Sequence, residues 1–304
     1  MPNDEDEQTR LQMLNGVYYI AFGKRHTTVD LQHPTKILDV GTGTGEWAMA
    51  IGDEYPEAEV IGIDIAKIQP SAVPLNVFFE IDDAEEEGGW TWPDNEFDLI
   101  HFRYMCGAFA DWRYIYKEAY KHLKPGGWIE VVDFDDHKGL MGFFEEGSEV
   151  PRWLEAVNEG SERLGRPRTT EYLEVGFAEE LGFVEVKSTD YVLPLGVWRD
   201  DKEGQMTGKH FLVATVTGVE ALCLRILTEQ MGWDYNEVQR IAEIVQDSVW
   251  QTALDPEKAK GMGFRVKVLT ARKPDWTEEG EERESLRTTP MPETIPEGVN
   301  GAAS

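Results

Sequence analysis

Three glycines at alternate positions, Gly41, Gly43 and Gly45, lie between the apolar run "TKILDV" and the helical pattern "GEWAMAIGDEY". Glycine adopts positive φ freely and has no Cβ, so such a turn lets a ligand approach bare backbone at the mouth of a helix. Acidic residues recur where the apolar runs end: Asp39 before the turn, Asp64 closing "EVIGIDI", and Asp82 and Asp83 after "NVFFEI". An ionised carboxylate only accepts hydrogen bonds, which suits vicinal hydroxyls, amines or cations. Farther on, "FDLIHFRY" carries His101, Arg103 and Tyr104, and "GGWIEVVDFDDH" carries Asp133, Asp135, Asp136 and His137. These types can clamp an anion, orient a nucleophile or move a proton.

The elements that must position them alternate. Short apolar runs ("TKILDV", "EVIGIDI", "NVFFEI", "FDLIHF", "GGWIEVVDF") are interleaved with helical patterns such as "GEWAMAIGDEY" and "DWRYIYKEAYKHL", which implies an α/β fold with a mostly parallel, doubly wound sheet. Beyond residue 140 the pattern loosens. "PRWLEAVNEGSERLG" and "TEYLEVGFAEELG" read as helices, "FVEVKSTDYVLPL" as a strand, and "FRVKVLTARKP" as the last strand. About 70 residues lie between those two strands and contain two amphipathic helices, so they are expected to form a helical cover over about 196–258, either a packing layer or a lid. A helical segment over about 8–35 is expected to precede the first strand. Residues 1 to about 8 and the tail 276–304 are charged and poor in apolar side chains, and are expected to be mobile.

Several ligands use a glycine-rich strand–turn–helix. A phosphate-binding P-loop needs Gly-Lys-Ser/Thr at its end, whereas Gly45 is followed by Glu46 and Trp47. A dinucleotide turn needs G-x-G-x-x-G, and here the third glycine comes one residue early, with Glu46 in its place. A plain tight turn is the remaining non-binding reading. "ILDVGTGTG" resembles the first motif of class I S-adenosylmethionine-dependent methyltransferases, and four further matches follow in order: Asp64, nineteen residues after Gly45; the Asp-Ala pair in "FEIDDAEE"; "FDLIHFR"; and "LKPGGWIEVVDF". Longer stretches, including the Pro-containing link after the second strand and the Trp-Pro turn in "WTWPDNEFDLIHFR", look like the fungal LaeA-like methyltransferases over roughly residues 15–275. The sequence departs from that family before the last strand, where "DPEKAKGMGFRVKVLTARKP" replaces an aromatic-rich run.

The resemblance implies a Rossmann-like class I methyltransferase domain with a seven-stranded sheet over residues 1–275. It also implies a cofactor site: Asp39, Gly41, Thr42, Gly43, Gly45 and Trp47 around the methionine end; Asp64 and Ile65 at the ribose; Asp82, Asp83 and Ala84 at the adenine; and Arg103 at the carboxylate. The ends of the fourth and fifth strands face the methyl group, which makes His101, Arg103 and Asp133 the catalytic candidates. Tyr19, Tyr104, Asp135, His137 and Phe211 are the candidates for the acceptor. Family members methylate N, O or S of natural products, or regulate secondary metabolism with velvet-type protein partners. A small-molecule methyltransferase of fungal secondary metabolism is therefore the first expectation and a LaeA-like regulator the alternative.

Composition narrows the partners. The chain has 304 residues and a formal net charge of −29, which repels nucleic acid and anionic lipid over most of a surface. Two cysteines outside any CxxC pair argue against a disulfide framework and for a reducing compartment, cytoplasm or nucleus. The N-terminus lacks a secretory pattern, and no apolar run approaches the roughly 20 residues that span a bilayer. The histidines form no metal-ligand spacing, and no metal is expected; Asp133, Asp135 and Asp136 as magnesium ligands are the minor alternative.

Overall fold

In a computed structural model, residues 5–135 and 139–275 are described. Seven strands make one sheet: β1 (Lys36–Val40), β2 (Glu59–Asp64), β3 (Val77–Ile81), β4 (Phe97–Arg103), β5 (Leu123–Phe134), β6 (Val184–Pro194) and β7 (Gly263–Arg272). Their order is β3-β2-β1-β4-β5-β7-β6, and only β7 runs against its neighbours. The near-continuous apolar runs of β1, β2 and β4 follow from burial on both faces. Because β1 to β5 are parallel, their C-terminal ends share one edge, where ligands of such sheets bind.

One face carries α1 (Glu5–Ala21), α2 (Glu46–Glu54), α4 (Glu149–Arg163), α6 (Lys202–Arg225) and α7 (Tyr235–Leu254). The other carries α3 (Trp112–His122) and the short α5 (Val175–Glu179). Aspartates start three of these helices: Asp111 accepts from the amides of Arg113 and Tyr114, Asp201 from Gly204, and Asp234 from Asn236 and Glu237.

Four expectations change. Helix α1 begins at Glu5, inside the segment expected to be mobile, because Glu7 and Arg10 form a buried ion pair at 2.7 Å on its inner stripe. It also ends well before residue 35, at Gly23 and Lys24, both with positive φ. The helix read in "TEYLEVGFAEELG" shrinks to a 3₁₀ turn at Glu171–Leu173 and five residues of α5, since Glu174 between them is extended. Finally, α6 with the π turn that follows it, Lys202–Gln230, does reach membrane-spanning length and apolarity, with a mean hydropathy of 1.7; 39% of that window is buried. Thr215, Thr217 and Glu220 interrupt the apolar run in sequence, while its buried stripe packs against α1, α7 and β6. The tail 276–304 lies outside the described residues.

Candidate functional site

The turn after β1 leaves the sheet through Gly41, Gly43 and Gly45, all with positive φ, and Gly45 opens α2. Their reasons for being glycine differ. A Cβ on Gly41 would meet the Met105 sulfur, and one on Gly45 the Phe79 ring, so the protein's own side chains crowd those two positions and their positive φ favours glycine. At Gly43 the nearest atom is Leu11 Cδ1 at 3.7 Å, which leaves the middle of the turn approachable beneath α1. Asp64, half-buried at the end of β2, ties the turn down: Oδ2 accepts from Gly43 N and Oδ1 from Ala66 N, both at 2.9 Å. Two of its roughly four acceptor directions stay open to a ligand. Beside it Ile65 is 75% exposed, an apolar surface that a nucleobase can cover. Asp82 donates its amide to Asp64 O and caps the Asp83 amide, which holds the ends of β2 and β3 together; Ala84 is buried next to Asp83.

Asp39 does not open onto this edge. It is buried, with Oδ2 accepting from the Thr42 hydroxyl at 2.6 Å and Oδ1 2.8 Å from His101 Nδ1. That partner places a proton on Nδ1. Cross-strand register aligns Asp39, His101 and Glu130 in a row, and His101 Nε2 lies 3.9 Å from Glu130 Oε2, beyond hydrogen-bond reach. Glu130 Oε1 accepts from the amide and hydroxyl of Thr28. Trp47 stacks flat on the His101 ring at 3.7 Å and donates Nε1 to His26 O. The row is thus sealed under Trp47, and His101 bonds within the fold.

Arg103, two residues on, shares that face. Its guanidinium donates to Asn15 Oδ1 at 2.8 Å and sits 5.0 Å from the Tyr18 ring centre. Burial pulls its pKa below the ordinary value, with Asp39 opposing. Asp133 points to the opposite face. It accepts from Met105 N at 2.7 Å, Tyr172 OH at 3.0 Å and Phe134 N at 2.9 Å, so it holds the loop after β4. Asp135 is taken up by Arg265, Lys267 and the Thr170 hydroxyl. Tyr19 stacks on His26, and His137 lies outside the described residues.

A second space opens beside this edge. A cavity of about 90 Å³ lies between α1, α4, α6, α7 and the ends of β4 and β5, lined by Tyr104 and Phe211 among the expected residues. Tyr104 sits at φ 62, a left-handed conformation costly for a bulky residue, at the exit of β4, and its ring meets Phe134 edge-on. Phe211 of α6 stacks on Phe134 at 5.9 Å. Two cations that sequence reasoning missed also line it, Arg10 and Arg168. Arg10 is bidentate to Glu7; burial lowers its pKa, but the Glu7 hydrogen bonds outweigh this and hold it above its ordinary value. No spacing in the sequence marks either residue. Among the described residues no group of His, Cys, Asp and Glu is arranged to hold a metal ion.

A family model described as a methyltransferase domain matches residues 16–184. The chain is 35% identical over 281 residues to methyltransferase pytC of Aspergillus terreus, covering 90% of this chain and 82% of that protein. It is 30% identical over 280 residues to secondary metabolism regulator LAE1 of Cochliobolus heterostrophus, covering 90% and 89%. Among solved structures, phosphoethanolamine N-methyltransferase 2 of Haemonchus contortus, in complex with phosphomonomethylethanolamine and S-adenosylhomocysteine, aligns at 16% identity and a TM-score of 0.48, covering 88% of this chain and 58% of that one.

Proposed function

The chain belongs to the methyltransferase-domain family, and from that premise we propose that it methylates a small molecule seated in the cavity under α6. S-adenosylmethionine is the methyl donor, and when bound it supplies an electrophilic carbon on a good leaving group. The observation that carries the reading of the acceptor is the cavity, which adjoins the β4 and β5 ends and is walled by Leu14, Trp153 and Phe211, the apolar and aromatic lining that small-molecule pockets have. Similarity to LAE1 favours a second reading, in which this chain is a regulator with protein partners. Similarity to pytC, whose name is that of a methyltransferase, supports the first.

The residues at the edge fit such a cofactor. Asp64 is the acceptor for ribose hydroxyls, Gly43 the point of backbone approach, Ile65 an apolar cover for the adenine, and Asp82 and Asp83 partners for its amino group. Arg103 is a counter-charge for a carboxylate. The Asp39–His101 pair positions the turn through Thr42 rather than meeting the ligand. Displacement at a sulfonium needs alignment and exclusion of water more than a strong base, and the packed wall provides both. Tyr104, at its unusual φ by the β4 exit, is the side chain that orients the acceptor.

Calorimetry tests this. The protein binds S-adenosylmethionine and S-adenosylhomocysteine but not NAD, and Asp64→Ala weakens binding by about 1–3 kcal/mol, the value of a charged acceptor lost from a ligand hydrogen bond. An affinity unchanged in that variant removes Asp64 from the site.

A further inference from the structure

The charged side chains that line the cavity share one sign. Its lining contains two guanidiniums, those of Arg10 and Arg168, together with the hydroxyls of Tyr104 and Thr215, and no carboxylate. In a chain of net charge −29, a lining with two arginines and no carboxylate stands apart from the rest of the composition. The guanidiniums are not equivalent. Arg10 is neutralised by Glu7, which takes Nε and one terminal nitrogen at 2.7 Å each. Arg168, on the loop after α4, is half-buried, and no ion pair within 4.0 Å is found for it among the described residues. The carboxylate that feels it is Asp133, which already accepts three hydrogen bonds on the other face of the sheet. Trp153 also lines the cavity, and its Nε1 is buried beside the Cys223 thiol.

A half-desolvated cation with no ion pair among the described residues is costly, and an anionic oxygen group beside it relieves that cost. A guanidinium is also the side chain whose fork matches a carboxylate. The rest of the wall, Leu14, Phe134, Phe211 and Val245 among it, is apolar and rich in rings. We propose that the methyl acceptor is an aromatic or similarly flat apolar acid, anchored through a carboxylate or phenolate oxygen on Arg168, and that Arg168 determines its selection over amines. This rests on the methyltransferase reading for the word acceptor, but the charge preference of the cavity stands by itself.

The test uses the full chain and three probes with one ring each: benzoate, benzyl alcohol and benzylamine, followed by ligand-observed NMR at pH 7.5. Benzoate should bind at least tenfold more tightly than benzylamine, and Arg168→Gln should abolish that preference, while Arg168→Lys keeps part of it. Circular dichroism reports that each variant is folded, and binding of S-adenosylhomocysteine tests the methyltransferase reading separately. If the cofactor fails to bind but benzoate still wins, the enzyme reading falls and the anion site stands. If benzylamine binds as well as benzoate, or Arg168→Gln leaves benzoate untouched, the proposal is overturned.

Discussion

Asp133 has three hydrogen-bond donors around its carboxylate, and yet its carboxyl is pushed up to about 6, because full burial penalises the charge more than the Phe134, Tyr172 and Met105 bonds favour it. Cys106 beside it is pushed up to about 12 by burial and then by Asp133, so it stays a thiol. The sign for stability follows. The folded chain holds the Asp133 proton more tightly than the unfolded one, so this group's contribution is largest below about pH 4 and declines as pH rises through about 6. Relative to Asp133→Asn, wild-type unfolding free energy should therefore fall by on the order of 2–3 kcal/mol between pH 4 and 7. Urea unfolding of both proteins across that range measures it; a difference that stays flat means the carboxyl titrates in its ordinary range. Asp133 also shows where legibility stopped. Its type and its position at a strand end suggested chemistry, but the strand's alternation turns it to the α3 face, where Tyr172 occupies it. Asp64 and Gly43 were legible because fixed spacing after a strand puts them on the edge whatever else the fold does. Arg10 and Arg168 were not, since they meet only once α1 and the loop after α4 are assembled around the cavity.

At the scale of elements, apolar runs marked every strand and most helices, and the misses came where local signals conflict with packing: the π turn after α6, the broken helix around Glu174, the early start of α1. How α6 is docked was invisible in sequence. Gly208, in its second turn, lies against the loop at Gly196: Gly196 N donates to Gly208 O at 3.0 Å, and a Cβ on Gly208 would strike the Gly196 carbonyl. The opposing atom is backbone and cannot swing away. The same loop bonds α7, through Val197 N to Ala253 O at 3.1 Å. This fixes α6 and α7 to the body at one end, so the excursion between β6 and β7 is a packed layer there. Glycine to alanine inside a helix ordinarily stabilises by about 0.5–1 kcal/mol, and Gly16 of α1, with nothing within 4 Å of a new Cβ, should do so. Gly208→Ala should reverse the sign and destabilise by about 1–3 kcal/mol, as overpacking does. Thermal melts of the two variants decide it; if Gly208→Ala raises Tm like Gly16→Ala, α6 is not seated on that loop.

For the whole molecule, the net charge of −29 sets up a negative field into which every ligand must move. S-adenosylmethionine carries a sulfonium and an ammonium against one carboxylate, so its net charge is positive, while S-adenosylhomocysteine has lost the sulfonium charge with the methyl group and is neutral overall. The cofactor edge adds local weight in the same direction, with Asp64, Asp82 and Asp83 at the ends of β2 and β3. The protein's field should therefore favour the substrate form of the cofactor over the spent form and so assist exchange after turnover. Salt separates this long-range contribution from the contacts in the site, because screening shortens from about 30 Å at 0.01 M to about 3 Å at 1 M. On raising NaCl from about 0.02 M to about 0.5 M, the Kd of S-adenosylmethionine should rise roughly threefold to tenfold, while that of S-adenosylhomocysteine stays within about twofold. An acid such as benzoate should respond in the opposite sense, since it reaches Arg168 through a repulsive surface that salt weakens. Titrations of tryptophan fluorescence at several salt concentrations provide the measurement. Equal salt dependence for the two forms of the cofactor would mean that the field of the acidic surface does not reach the site, and that discrimination between them rests on contacts alone.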